Sequence, residues 1–336
     1  MDRMNASPVQ SAAPAERERQ LLLRLAQGPV SGDLLAQETG LTRAAIWKRV
    51  QALREAGIAV AGSAGHGYTL EQPLDLLEAG AIAAGLDAAA RAEIAGLDVA
   101  WSLDSTNSEL LRRDTPAAGC AVLLAERQTG GRGRRGRSWT SPLAAHIYLS
   151  IARRFGGGLA RLGGLSLVAG VAVAEGLRDL GVSQIGLKWP NDLVINGRKL
   201  GGLLVEGGGE AGGPVRAVIG IGLNVRMPAA QAGLIDQPWL DLAEALPGLT
   251  SRNAVAGAVL ARLLPALALF DAEGLAPFRP RYAALDALHG QRVVVKLDSG
   301  DVFGTAEGIA DDGALRLRTP QGLRDFHAGE VSVRAV

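Results

Sequence analysis

The chain has 336 residues, of which 48% are hydrophobic, a net charge of +1 and one cysteine. That length predicts two or three domains, and the apolar share is enough for packed cores. Near-neutral charge excludes a chain that coats nucleic acid over its whole surface, and a single cysteine excludes a disulfide framework.

The first fifteen residues, rich in Ser, Ala and Pro, lack the apolar core of a secretory signal and predict a disordered tail over 1–15. Residues 16–70 predict a winged helix-turn-helix. Glu16–Ala26 carries Leu21, Leu22 and Leu25 on one face. Ser31 caps Asp33–Glu38, and Gly40 ends that helix. Thr42 then caps Arg43–Ala56, in which Ile46, Val50 and Leu53 form the buried stripe. Two short strands, Ile58–Ala61 and Tyr68–Leu70, flank a Gly-rich wing tip at 62–67 that contains His66. Residues 1–75 hold eight Lys/Arg against eight Asp/Glu, yet residues 42–56 hold Arg43, Lys48, Arg49 and Arg54 against Glu55 alone. The positive charge thus lies on the second helix of the motif, where a major-groove reader needs it. Thr42, Arg43, Trp47, Lys48 and Gln51 are the candidate DNA-facing residues. Winged helices also serve as packing or dimer modules. An indole at position 47 suits a thymine methyl, a stack on Arg43 or packing against the wing.

Residues 71–95 read as a linker carrying one Ala-rich helix, Leu76–Ala95. From 96 to 285 strand-like and helix-like runs alternate: strands at Ala121–Ala125, Ile147–Ile151, Ile185–Lys188, Leu193–Ile195, Leu203–Glu206 and Ala217–Leu223, helices at Ser105–Arg113, Leu162–Leu180 and Arg252–Phe270. This is mixed α/β. Cys120 falls in an apolar run and reads as a buried strand thiol. The apolar stretch Leu162–Ala174 is shorter than the about 20 residues a bilayer requires, and a soluble cytoplasmic protein is expected. Residues 286–336 change to five short strands parted by Asp/Gly/Pro turns, the pattern of a small SH3-like β-barrel.

The most distinctive segment is Gly130-Gly131-Arg132-Gly133-Arg134-Arg135-Gly136-Arg137-Ser138-Trp139. It sets guanidinium forks suited to carboxylate and phosphate on a Gly-rich backbone that closes with an indole. Taken alone, the run fits an anion clamp, an RGG-like RNA-binding segment or a solvated loop. Its formal Gly-x-Gly-x-x-Gly pattern is no dinucleotide turn: Arg fills the variable positions, Ser141-Pro142 follows, and no acid lies about 20 residues on. A Walker A loop is absent, since the chain has no Gly-Lys pair.

That run stands in order with Asp104-Ser105-Thr106-Asn107, Lys188-Trp189-Pro190-Asn191-Asp192, Gly197-Arg198-Lys199-Leu200-Gly201-Gly202 and Gly220-Ile221-Gly222-Leu223-Asn224. Together, from about Glu16 to Arg334, these motifs resemble the biotin protein ligase family in its bifunctional ligase and operon-repressor form. The resemblance implies a central biotin/lipoate-ligase-like catalytic domain between the winged helix and the small barrel. It implies formation of biotinyl-5′-AMP from biotin and ATP, then transfer of biotin to a lysine of the biotin carboxyl carrier domain of acetyl-CoA carboxylase. By the same resemblance Ser105, Thr106 and Gln128 hold the ureido end of biotin, and Asn107 is a further biotin-binding residue. Arg132, with Gly133 and Arg134, and Lys199 meet its carboxylate and the phosphoryl group. Arg132, Arg134, Arg135, Trp139, Lys188, Asn191 and Asn224 hold ATP or the adenylate. Arg132, Lys199, Lys188 and Asp192 form the catalytic set, with Asp192 the candidate ligand for Mg²⁺ arriving with ATP. Operator DNA and a ligand-promoted homodimer are the further partners implied. A ligase with a non-repressing winged helix, a non-catalytic biotin sensor and a lipoate ligase are the alternatives. The Arg-rich loop and the Ser105-Thr106 pair suit biotin better than lipoate.

Overall fold

The computed structural model describes residues 14–336 apart from 64–66, 157, 159–161, 210–214, 250, 298–299, 329–331 and 336. The tail expected over 1–15 thus lies outside the described residues up to position 13, as does His66. The last two tail residues, 14 and 15, already belong to α1 (Pro14–Ala26).

The N-terminal unit continues with α2 (Gly32–Thr39), α3 (Arg43–Glu55) and an antiparallel pair, β1 (Val60–Ser63) and β2 (Gly67–Leu70). Ser31 Oγ accepts from the Leu34 amide at 3.1 Å, and Thr42 Oγ1 from the Ala45 amide at 3.2 Å, so both helices start where side-chain caps satisfy their first free N–H groups. Gly40 ends α2 at φ 67°, a conformation that excludes most side chains. Ile46, Val50 and Leu53 are fully buried. One residue of that small core, Leu143, comes from the central part of the chain.

The expected single linker helix is two short ones, α4 (Ala79–Ala84) and α5 (Ala88–Ala92). Gly85 stops the first, and Asp87 caps the second by accepting from the Ala90 amide at 2.7 Å. The end of the expected helix is instead the start of a strand, β3 (Ile94–Leu103).

The central sheet adds α6 (Thr106–Arg112), β4 (Cys120–Gln128), β5 (Ile147–Phe155), α7 (Leu165–Asp179), β6 (Gly186–Lys188), β7 (Asp192–Ile195), β8 (Arg198–Gly209) and β9 (Val215–Leu223). Its strand order is β3-β4-β5-β9-β8-β7-β6, parallel at β3–β4 and antiparallel elsewhere. Two one-turn helices, α8 (Ala229–Ala232) and α9 (Leu242–Ala245), lead to α10 (Arg252–Glu273) and α11 (Arg279–Ala283). Helices α7 and α10 pack on each other and supply much of the core behind the sheet. Among the described residues α10 alone has the length and apolar composition to cross a membrane, but eleven of its residues are buried inside the protein. At its start Arg252 is buried and paired with buried Glu126 at 2.6 Å, while Glu126 also accepts from the Leu77 amide at 2.6 Å. A buried pair of this kind costs desolvation and holds only with its bonds satisfied. It ties the linker, β4 and α10 at one point.

The five C-terminal strands fall where their turns predict: β10 (Arg292–Leu297), β11 (Gly300–Ile309), β12 (Leu315–Thr319), β13 (Gly322–Phe326) and β14 (Ser332–Ala335), an antiparallel sheet in order β13-β12-β11-β10-β14. Its inner residues Val293, Val295, Leu315 and Leu317 join the same core cluster as α7 and α10. The barrel expected as a separate unit is therefore seated on the catalytic core.

Candidate active site and DNA-facing helix

A cavity of about 820 Å³ opens over the central sheet, at the ends of β4 and β6–β9 and beneath the loop 131–140. Every residue expected to bind biotin or ATP lines it: Ser105, Thr106, Asn107, Gln128, Arg132, Gly133, Arg134, Arg135, Trp139, Lys188, Asn191, Asp192, Lys199 and Asn224. That volume is the size of a ligand cleft.

At one end the polar groups are buried and mutually bonded. Ser105 caps α6. The Thr106 amide donates to Gln128 Oε1 at 2.8 Å and the Thr106 hydroxyl donates to the same oxygen at 3.2 Å. Ser150, in the middle of β5, is within 2.7 Å of Thr106 Oγ1 and 2.6 Å of Asn107 Oδ1. Asn107 Nδ2 donates to Leu204 O at 3.2 Å and to Glu206 Oε2 at 2.8 Å. Asn107 is thus spent on the protein and orients Glu206 and Ser150. Gln128 Nε2 donates to Ser141 Oγ at 3.3 Å, and Ser141 in turn donates to the Trp139 carbonyl at 3.0 Å. Hydroxyl and amide groups in this arrangement serve both the donors and the acceptor of a ureido ring. Asp104, the first residue of that motif, does not line the cavity. It is paired with Arg112 at 2.8 Å, whose hydrogen bonds hold its carboxyl down at about 2.

The other end is cationic. The loop folds as a narrow hairpin with an Arg132–Ser138 bridge and a 3-10 turn over Arg134–Gly136. No helix follows the glycines, as expected from the rejected dinucleotide pattern. Arg132 donates to Glu206 Oε2 at 3.0 Å. Arg134 reaches Asn191 Oδ1 at 3.2 Å and also the Ala328 carbonyl of the C-terminal unit; burial lowers its pKa from the usual guanidinium value. Lys199 Nζ lies 2.7 Å from Asp192 Oδ1 and 5.6 Å from the centre of the Trp139 ring, a cation–π contact. Asn191 Nδ2 donates to Leu203 O at 2.7 Å, holding the Lys188–Asp192 turn on β8. Trp189 within that turn is buried and donates to the Gly313 carbonyl at 3.0 Å. Asn224 lines the cavity with its Nδ2 committed to the Leu240 carbonyl at 3.0 Å.

The glycines of Gly220-x-Gly222 have a steric reason. A Cβ at Gly220 would stand 2.3 Å from Asn107 Oδ1, and one at Gly222 would stand 2.6 Å from Trp139 Cε2. Both approaches need a bare backbone.

Three contributors escaped the sequence reading. Ser150 sits inside an apolar strand run, Glu206 at the Gly-rich end of β8, and Trp239 in the loop beyond Asn224. Trp239 lines the cavity beside the Lys199 amide, which donates to the Pro238 carbonyl at 2.9 Å. An indole directly after Pro238, in the Gln237-Pro238-Trp239 run, was the available signal for it.

On α3, far along the chain, Trp47 is exposed and Lys48 beside it is exposed. Arg43 is exposed and pairs with Asp33 at 3.1 Å, and Thr42 acts as the helix cap. With its amide oxygen turned to accept, Gln51 takes Trp47 Nε1 at 3.3 Å and Arg54 at 2.8 Å. The indole is therefore braced by Gln51. Arg54, one of the four basic residues of 42–56, turns its Nε to the Val60 carbonyl of the wing at 2.9 Å.

Fold and cavity together define a ligase of the biotin/lipoate class preceded by a helix-turn-helix unit. The chain matches the Biotin/lipoate A/B protein ligase family over residues 99–224, the Biotin protein ligase C terminal domain over 288–334 and an HTH domain over 17–69. It is 40% identical to the bifunctional ligase/repressor BirA of Salmonella typhimurium, across 94% of this chain and 97% of that one. The BirA protein of Escherichia coli is equally similar, at 40% across 94% and 96%. Among solved structures, the biotin protein ligase of Aquifex aeolicus in complex with biotin and ATP superposes with a TM-score of 0.63 at 27% identity, covering 72% of this chain and all of that one. The chain belongs to the biotin protein ligase family, in its branch of bifunctional ligase/repressors.

Proposed function

We propose that the protein joins biotin to ATP and passes the biotinyl group to a carrier lysine, and that the same ligand governs DNA binding by its winged helix. The observation that carries this reading is the polarity of one cavity: a neutral hydrogen-bonding end at Thr106 and Gln128, and a cationic end at Arg132 and Lys199.

In the first step a carboxylate oxygen of biotin attacks the α-phosphorus of ATP, and the bond to the departing pyrophosphate breaks. Both reactants are anions, so preorganised cations are the main requirement. Arg132 spans the carboxylate and the phosphoryl group, and Lys199 faces the phosphoryl oxygens. Lys188 and Arg134 bear on the remaining phosphates and Asn191 fixes their turn. Asp192 fits Mg²⁺ arriving with ATP, because that ion is usually held by one or two carboxylates plus substrate phosphates. Holding the ion would draw Asp192 away from Lys199 and leave that ammonium for the phosphoryl oxygens. Trp139 and Trp239 wall the cavity where the adenine stacks. In the second step the uncharged amine of the carrier lysine attacks the carbonyl of the mixed anhydride, and AMP leaves.

In the regulatory half, the adenylate holds the loop 130–140 closed and promotes a homodimer by extending the central sheet. The two α3 helices, presenting Arg43, Trp47 and Lys48, then span an operator. Such coupling is a ligand-dependent shift in dimer affinity. The protein works as a soluble cytoplasmic enzyme, with the biotin carboxyl carrier domain of acetyl-CoA carboxylase as acceptor.

Release of pyrophosphate from biotin and MgATP, followed by biotin incorporation into a carrier domain, tests the catalytic half; no pyrophosphate overturns it. Sedimentation with and without biotinyl-adenylate, and gel shifts on a biotin-gene promoter, test the regulatory half. Unchanged dimerisation overturns the coupling, and an unshifted promoter leaves a ligase whose winged helix does not repress.

A further inference from the structure

Arg132, which lines the cavity, is already paired with an anion. Glu206 Oε2 accepts from Arg132 at 3.0 Å and from Asn107 Nδ2 at 2.8 Å. Its side chain is about a quarter exposed and that of Arg132 under half, so this is neither a solvated surface pair nor a sealed one. Through Asn107 the same carboxylate is joined to Ser150 and thence to Thr106 and Gln128. One hydrogen-bonded chain therefore joins the neutral end, at Thr106 and Gln128, to the clamp arginine.

We propose that Glu206 is a positioning residue that acts as a built-in substitute for the substrate carboxylate. In the empty protein it seats Arg132 over the cavity. An anionic ligand takes Arg132 by exchange, carboxylate for carboxylate, and Glu206 falls back on Asn107. A ligand that carries no anion leaves the Arg132–Glu206 pair intact. Glu206 thus lowers the advantage that a charged substrate holds over a neutral isostere, while keeping the clamp formed before substrate arrives. This rests on the reading of Arg132 as the group that meets the biotin carboxylate.

The test compares two ligands by calorimetry: biotin, and the alcohol in which its carboxylate is reduced to CH₂OH. The ratio of their dissociation constants cancels any change in loop order, which affects both. Glu206→Gln keeps an acceptor for Asn107 and removes the charge. The expected result is that the preference for biotin over the alcohol rises roughly two- to fivefold, the range of partly exposed ion pairs. In an Arg132→Ala background the same substitution is expected to leave the ratio unchanged. Glu206→Asp, which keeps the charge but withdraws it from Arg132, is expected to fall between, and carries the test if the Gln variant does not fold. An unchanged or lowered ratio overturns the proposal. So does a rise that persists without Arg132, which would mean direct repulsion by Glu206 rather than exchange. If the unmutated chain binds neither ligand, the biotin reading falls and this inference with it; if it binds both and the ratio stays fixed, the inference alone falls.

Discussion

At the Thr106 end of the cavity Thr106, Asn107 and Ser150 are buried and bonded into one network, with buried Ser105 capping α6 beside them, whereas at the Arg132 end Arg132 and Lys199 are each matched to a carboxylate that water also reaches. The first end gains selectivity from geometry: a ligand lacking the right donors leaves buried groups unpaired, at about 1–3 kcal/mol each. The second end must let go of its partners during turnover. Partly exposed ion pairs, worth about 0–1 kcal/mol, are weak enough to exchange. On the proposed reading, burial separates recognition from chemistry within one cavity.

The strongest way to break this comparison is Arg132→Ala. Adenylate formation, followed by pyrophosphate release, is expected to fall about 10²–10³-fold in kcat, the usual cost of a transition-state donor. Lys199→Ala belongs in the same range. If either variant instead raised the KM for biotin alone, the cationic end would be a binding device and the division would fail. Next in size is Thr106→Val, which removes a hydroxyl bonded to Gln128 and Ser150. It is expected to raise the KM for biotin about tenfold with kcat nearly unchanged. Smaller again is salt. Raising ionic strength from about 0.05 to 0.5 M shortens screening from roughly 14 to 4 Å. The KM for MgATP is expected to rise several-fold while affinity for the uncharged alcohol of biotin stays level.

The smallest effect concerns the buried support beneath the nucleotide end. His146 is fully buried, accepts from the Val225 amide at 3.1 Å, and burial pushes its pKa from 6.5 down to about 3. The unfolded chain takes up this proton near pH 6.5, and the folded protein only near pH 3. Stability is therefore lost as pH falls through that window and is unaffected above it. His146→Asn keeps an acceptor for Val225 and is expected to flatten the dependence of the melting temperature on pH between about 6.5 and 3. An equal slope in both proteins would assign acid sensitivity to other groups.

Much of this was legible in the sequence because single residues carry it. Ser31, Thr42 and Gly40 mark helix ends by side-chain chemistry that acts over three residues. Ile46, Val50 and Leu53 mark a buried face by period alone. The Arg-rich loop and its companion motifs named the cavity-lining set because each is short and compositionally odd. The strand β3 was missed because its run, Ile94 to Leu103, follows an Ala-rich stretch whose helical propensity extends across Gly85. Its strand state comes from pairing with β4, a partner more than twenty residues away. Ser150 and Glu206 were missed for a related reason. Each takes its role from Asn107, on a helix packed against the sheet, and nothing local distinguishes a hydroxyl or an acid in a strand. The commitment of Asn107 and Asn224 to the protein likewise depends on strands and loops that sequence distance hides.

The indole of Trp189, hydrogen-bonded to the Gly313 carbonyl, sets a schedule for the newborn chain. Arg134 leans on Ala328, and Val333 forms part of the cavity wall. Translation delivers Thr106, Gln128 and Arg132 well before it delivers Gly313, which holds the Trp189 turn. The cavity is finished only when Gly313, Ala328 and Val333 have cleared the ribosome, so a nonsense codon between positions 290 and 313 removes part of its wall and the support of its Trp189 turn.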